Sequence, residues 1–146
     1  MKTEILCLIL IVSIISSCSQ KNTLTIEGAW KMAQYQTIKG DSVFNEFPGK
    51  SVMDVTKIWS GNQFMAVGKI KEDTTSTDMY SAGTYKLKGI SYEENVKTLF
   101  YKPWEGKTIK MTLEIKNDTL IQTYPVDDKG QMNKDWAWIE KYVRIK

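Results

Sequence analysis

From residue 107 to residue 115 the chain alternates without a break: Ile109, Met111, Leu113 and Ile115 take one side, and Lys110, Thr112 and Glu114 the other. Successive side chains of an extended chain point to opposite faces, so a strict period of two predicts a strand with one buried and one wet face. Weaker forms of the pattern recur at 29–38, 52–59, 63–71, 81–88, 90–96, 119–124 and 138–145, giving eight predicted strands and no segment spaced as a core helix. Several joints between them are short. Ser60-Gly61-Asn62, Lys88-Gly89 and Asn117-Asp118 contain residues that tolerate positive φ and close tight turns. The polar stretches 72–78 and 126–135 are expected to be exposed loops. The same holds for 40–50, with Phe44, Phe47 and Pro48-Gly49, and for 99–106, with Pro103-Trp104.

Eight antiparallel strands are about the number at which a sheet closes around an interior wide enough for side chains or one small ligand. Hairpins between sequence neighbours favour an up-and-down course over a Greek key. The predicted fold class is therefore all-β: an eight-stranded antiparallel up-and-down β-barrel. Its first strand, opening on Gly28-Ala29-Trp30, would meet its last, at 141–146, and leave no free edge.

Ahead of the barrel, Lys2 precedes an apolar run from Ile5 to Ile15 that is too brief for a permanent membrane helix and has the form of an export signal. The run ends in Ile15-Ser16-Ser17-Cys18, which resembles the lipobox of bacterial lipoproteins. That resemblance implies that residues 1–17 are removed, that Cys18 carries the lipid, that 18–25 is a lipidated tether and that 26–146 is the barrel domain. Several acyl chains on one cysteine make a lasting anchor, since each buried methylene adds roughly 0.8 kcal/mol of membrane affinity. Some Gram-negative lipoproteins carry an acidic surface-export signal after the cysteine. Ser19-Gln20-Lys21-Asn22 has no carboxylate, so the expected location is the outer membrane, facing the periplasm.

Composition narrows the chemistry. There is no histidine, and removal of Cys7 with the signal leaves one cysteine; Ser-His-Asp and Cys-His nucleophiles, His-based metal sites, thiolate clusters and internal disulfides are all excluded. The net charge of +3 survives loss of the signal, because Lys2 and Glu4 leave together, and it is too small and too evenly spread to suggest nucleic acid. Four acidic neighbourhoods remain: Glu93-Glu94, Asp127-Asp128, Asp41 with Glu46, and Glu114. Neighbours on a strand face opposite ways, so Glu93 and Glu94 cannot both line one interior, and Asp127-Asp128 before Lys129-Gly130 reads as a solvated turn. The stretch 127–133 lacks the spaced oxygen ligands of a calcium loop. No catalytic residue, metal or cofactor is expected.

Four short pieces, in this order and spacing, resemble the calycin superfamily and its small lipocalin-like bacterial lipoproteins. They are Gly28-Ala29-Trp30, Gly83-Thr84-Tyr85, the turn from Asn117 to Leu120, and the closing Trp138-Ile139-Glu140-Lys141-Tyr142-Val143-Arg144. The resemblance implies that Trp30 plugs the closed end of the barrel, that Arg144 lies across it as a cation-π partner, and that Gly28 serves backbone geometry at the strand entry. The chain departs from vertebrate lipocalins in lacking their usual disulfide and C-terminal helix.

Two functions of different class follow. One is a monomeric binding protein whose cavity, lined by some of Met32, Tyr85, Tyr92, Met111 and Leu113, holds a small apolar or amphipathic molecule. The other is a filled barrel that docks a protein or glycan through loop-end aromatics such as Trp59, Trp104 and Trp136. Cavity volume discriminates between them.

Overall fold

The computed structural model describes residues 25–146. The expected export segment, Cys18 and most of the tether lie outside the described residues. Nine strands form: β1 Gly28–Lys39, β2 Ser42–Phe47, β3 Ser51–Ser60, β4 Gln63–Glu72, β5 Thr75–Lys88, β6 Ser91–Leu99, β7 Thr108–Lys116, β8 Thr119–Tyr124 and β9 Ala137–Arg144. A single 3-10 turn, Lys102–Trp104, sits between β6 and β7. The alternation that builds these strands is cleanest in β3, where Ser51, Met53, Val55, Lys57 and Trp59 are buried while Val52 and Asp54 face water.

Every neighbouring pair is antiparallel, in the order β1-β3-β4-β5-β6-β7-β8-β9, and β9 returns to pair with β1. The protein is thus a closed eight-stranded antiparallel barrel, with β2 as a ninth strand on the edge of β1 that faces β3. Closure pairs Trp30 with Arg144 and runs on to Ile38 opposite Ala137.

Two expected loops are strand instead. The stretch 40–50 holds β2, because β1 pairs with β3 only through residues 28–31 and then diverges. The edge left bare by that divergence is taken by β2, opposite residues 35–39. The stretch 72–78 is almost all ladder: β4 and β5 pair as far as Glu72 opposite Thr75, and Asp73, at φ 50°, makes the turn. Its threonines suit a pleated surface as readily as a loop.

Two irregularities set which side chains face inward. In the β1–β9 ladder the register shifts between Met32 and Gln34, so Ala33 is an extra residue. Trp30 and Met32 point inward before this bulge; after it, Tyr35 and Thr37 do. On β5, a Cβ at Gly83 would lie 2.1 Å from the carbonyl oxygen of Asn95, so the strands come closer here than any side chain permits.

The tight turns β3–β4, β5–β6 and β7–β8 share one end of the barrel with the start of β1 and the end of β9. Asn117 and Asp118, both at positive φ, make the β7–β8 turn. Trp30 closes this end: it is 1% exposed and its Nε1 donates to the Ile26 carbonyl at 2.8 Å. The Arg144 guanidinium lies 4.2 Å from the Trp30 ring centroid and donates to the carbonyls of Glu27 and Thr25 at 2.6 and 2.5 Å. Gly28 has φ 112°, a backbone conformation that favours glycine, and a Cβ there would sit 3.0 Å from Arg144 Nη1 and crowd the guanidinium. The opposite end carries the long connections 100–107 and 125–136.

Candidate functional site

Above the plug the barrel interior changes character in layers. The lowest layer is aromatic and aliphatic: Trp59, Tyr92, Leu120 and Tyr142 are all at most 1% exposed, and the Trp59 and Tyr142 rings meet edge-on at 6.2 Å. The next layer is polar. β3 contributes Lys57, β6 Glu94 and β8 Gln122, each from a position its own alternation turns inward.

Glu94 Oε1 is the hub of this layer. It accepts from Lys57 Nζ at 2.5 Å, from the Tyr92 hydroxyl at 2.8 Å and from Gln122 Nε2 at 3.3 Å. Lys57 also donates to Gln122 Oε1 at 3.1 Å and stands 5.1 and 5.2 Å from the ring centroids of Trp59 and Phe64. Trp59 Nε1 donates to the Tyr92 oxygen at 2.7 Å, which fixes that hydroxyl so that its own proton points at Glu94. Among the described residues no buried side-chain nitrogen or oxygen lacks a partner, as a buried charge pair requires.

Glu140 belongs to the same level. It lies opposite Gln122 of β8 on one side and Tyr35 of β1 on the other. Its Oε1 accepts from the Tyr124 hydroxyl at 2.6 Å and its Oε2 from the Tyr142 hydroxyl at 2.7 Å. Burial first, and then the charge of Glu140, raises both phenols well above the usual tyrosine range, so they act as hydrogen-bond donors.

Over this polar floor lies a cavity of about 430 Å³. Met53, Ile70, Met79, Val96 and Ile109 supply apolar wall, Lys57, Glu94 and Glu140 reach it from below, and Phe100, Tyr101, Trp104 and Trp136 ring its mouth. The mouth is an aromatic cluster. Trp138 lies 5.2 Å from Tyr124 and 5.4 Å from Trp104 between ring centroids, and Trp104 meets Trp136 edge-on at 6.4 Å. Both the volume and the mixture of apolar wall with few polar groups are those of small-molecule pockets.

Of the five side chains the sequence suggested for a lining, Met32 and Met111 line this cavity. The other three sit beneath it. Tyr92 is sealed in the floor by Trp59 and Glu94, Leu113 is buried in the lower core, and Tyr85 stands at the plug end, donating to the Gly61 carbonyl at 2.9 Å. All three point inward as expected; their height along the barrel, which periodicity does not encode, keeps them from the open space. Glu93 and Glu94 do face opposite ways, Glu94 inward.

Beyond Glu94, the residues of the polar floor carry a signal in the sequence. Lys57 falls in phase with Met53, Val55 and Trp59, Gln122 with Leu120 and Tyr124, and Glu140 with Trp138 and Tyr142. A charged residue on the apolar parity of a strand is the mark of a buried polar site. Compared with known proteins, the chain matches no family model and no curated protein.

Proposed function

We propose that this protein is a membrane-anchored, lipocalin-like lipoprotein that binds one small apolar or amphipathic molecule inside its barrel. The observation that carries this reading is the 430 Å³ space above the Lys57–Glu94–Gln122 floor, plugged at one end by Trp30 and reached at the other through an aromatic mouth. A barrel that served only as a scaffold for docking loops would gain stability from filling that volume with side chains. The anchor rests on the resemblance of Ile15-Ser16-Ser17-Cys18 to a lipobox, with acylation at Cys18, and the periplasmic face of the outer membrane on the uncharged-to-basic residues that follow.

Native mass spectrometry of the barrel, expressed without its export segment and released gently from the host, tests the binding reading. A single co-purifying molecule of small mass, lost on unfolding, supports it. A bare chain that also takes up no apolar probe contradicts it.

A further inference from the structure

Three charged side chains are buried in the barrel: Lys57, Glu94 and Glu140. Lys57 and Glu94 neutralise each other at 2.5 Å. Glu140, 7% exposed, has no such counterpart: among the described residues no ammonium or guanidinium forms an ion pair with it. Two tyrosine hydroxyls occupy one lone-pair direction on each of its oxygens, and a carboxylate has further directions to offer. Glu140 lines the open cavity, and the tyrosine that holds its Oε1 begins the run of rings leading through Trp138 to Trp104 and Trp136 at the mouth.

We propose that the cavity selects an amphipathic cation, an alkylammonium whose charged head sits between Glu140 and the Tyr124–Trp138 aromatic wall and whose tail lies against Met53, Ile70, Met79 and Val96. This rests on the binding reading above and names its ligand class. Glu140 accepts from two phenols and meets no cation of the described residues, and a ligand cation supplies the partner that the protein withholds. Aromatic faces attract the same charge through their quadrupoles and do so most strongly where water is scarce. An anionic amphiphile meets the reverse field, because the ammonium of Lys57 is already committed to Glu94 and Gln122.

The test compares three ligands of one tail length, decyltrimethylammonium, decanol and decanoate, by calorimetric titration. The protein is the chain lacking only its expected export segment and carrying Cys18→Ser; the ring of strands closes within residues 25–146. The ammonium is expected to bind about tenfold tighter than decanol, with decanoate weakest. Glu140→Gln, close in shape, is expected to abolish the preference, bringing the ammonium and decanol affinities together. Decanol binding with no ammonium preference overturns this inference and leaves the binding reading standing. Failure of all three to bind overturns both. The wild-type ranking needs no variant, so a Glu140→Gln chain that failed to fold would not rescue the proposal.

Discussion

Arg144 and Trp30 are direct partners in the ladder that joins the last strand to the first, with the guanidinium carbon 4.2 Å from the indole centroid. One contact therefore does two things: it covers the plug of the barrel's closed end and it marks the seam at which the ring closes. The two guanidinium bonds to the carbonyls of Glu27 and Thr25 draw the chain ahead of β1 into the same cap.

Trp30→Ala is expected to lower stability by about 3–5 kcal/mol, as truncation of a large buried aromatic does. Arg144→Met, removing a more exposed cation and two hydrogen bonds, is expected to cost about 1–2 kcal/mol. Urea unfolding of both variants measures this. A loss below about 0.5 kcal/mol for Trp30→Ala, the range of ordinary surface changes, would mean that the indole closes nothing.

Lys57→Met leaves Glu94 buried with its ammonium gone, and a cost of about 3–5 kcal/mol is expected. Adding Glu94→Leu to the same chain should recover most of that loss, because the stranded charge goes with it. A double variant less stable than Lys57→Met by the full cost of a second core lesion would show that the pair holds the fold by attraction.

The alkaline limb of the stability curve is set by tyrosines. Burial, and after it the neighbouring carboxylates, raises the hydroxyls of Tyr92, Tyr124 and Tyr142 above the usual range. A group whose folded pKa is raised contributes fully below its unfolded pKa and is lost as pH climbs past it. Stability is therefore expected to fall above about pH 10, by up to about 1.4 kcal/mol per pH unit for each such tyrosine. Tyrosinate absorbance followed alongside circular dichroism should show these hydroxyls ionising as the barrel unfolds. Their ionisation in a barrel that stays folded would contradict the burial assigned to them. With no histidine in the chain, no comparable limb is expected near neutrality.

Acylation at Cys18 is tested separately. Metabolic labelling with palmitate is expected to mark the wild-type chain and not Cys18→Ala, and to move the variant from the membrane to the soluble fraction. An unlabelled wild type would remove the anchor without touching the barrel.

The barrel was legible where short-range patterning determines it. The alternation through Ile109, Met111, Leu113 and Ile115 and the turn residues Gly61, Gly89, Asn117 and Asp118 carry strand, face and hairpin in local sequence. What escaped depends on long-range geometry. Counting by twos from Met32 turns Tyr35 outward, and only the extra residue Ala33, visible in the pairing with β9, brings it in opposite Glu140. β2 escaped for a related reason: its partner edge exists because β1 leaves β3 after Lys31, a divergence that no local pattern announces. The height of a side chain along the barrel, which separates cavity-lining Met111 from sealed Leu113, likewise depends on how the strands are staggered.

A ligand-binding barrel requires that the space inside it be open to a guest. Ala66 is buried on β4 and lines that space without filling it, so Ala66→Phe converts empty volume into side chain. Calorimetric titration of decanol into wild type and Ala66→Phe, with circular dichroism to verify the fold, asks the question directly. Saturable binding of one molecule per wild-type chain, weakened about tenfold or more by Ala66→Phe, is the expected result. Equal affinity in the two folded proteins, or no saturable uptake by either, would contradict a ligand-holding barrel.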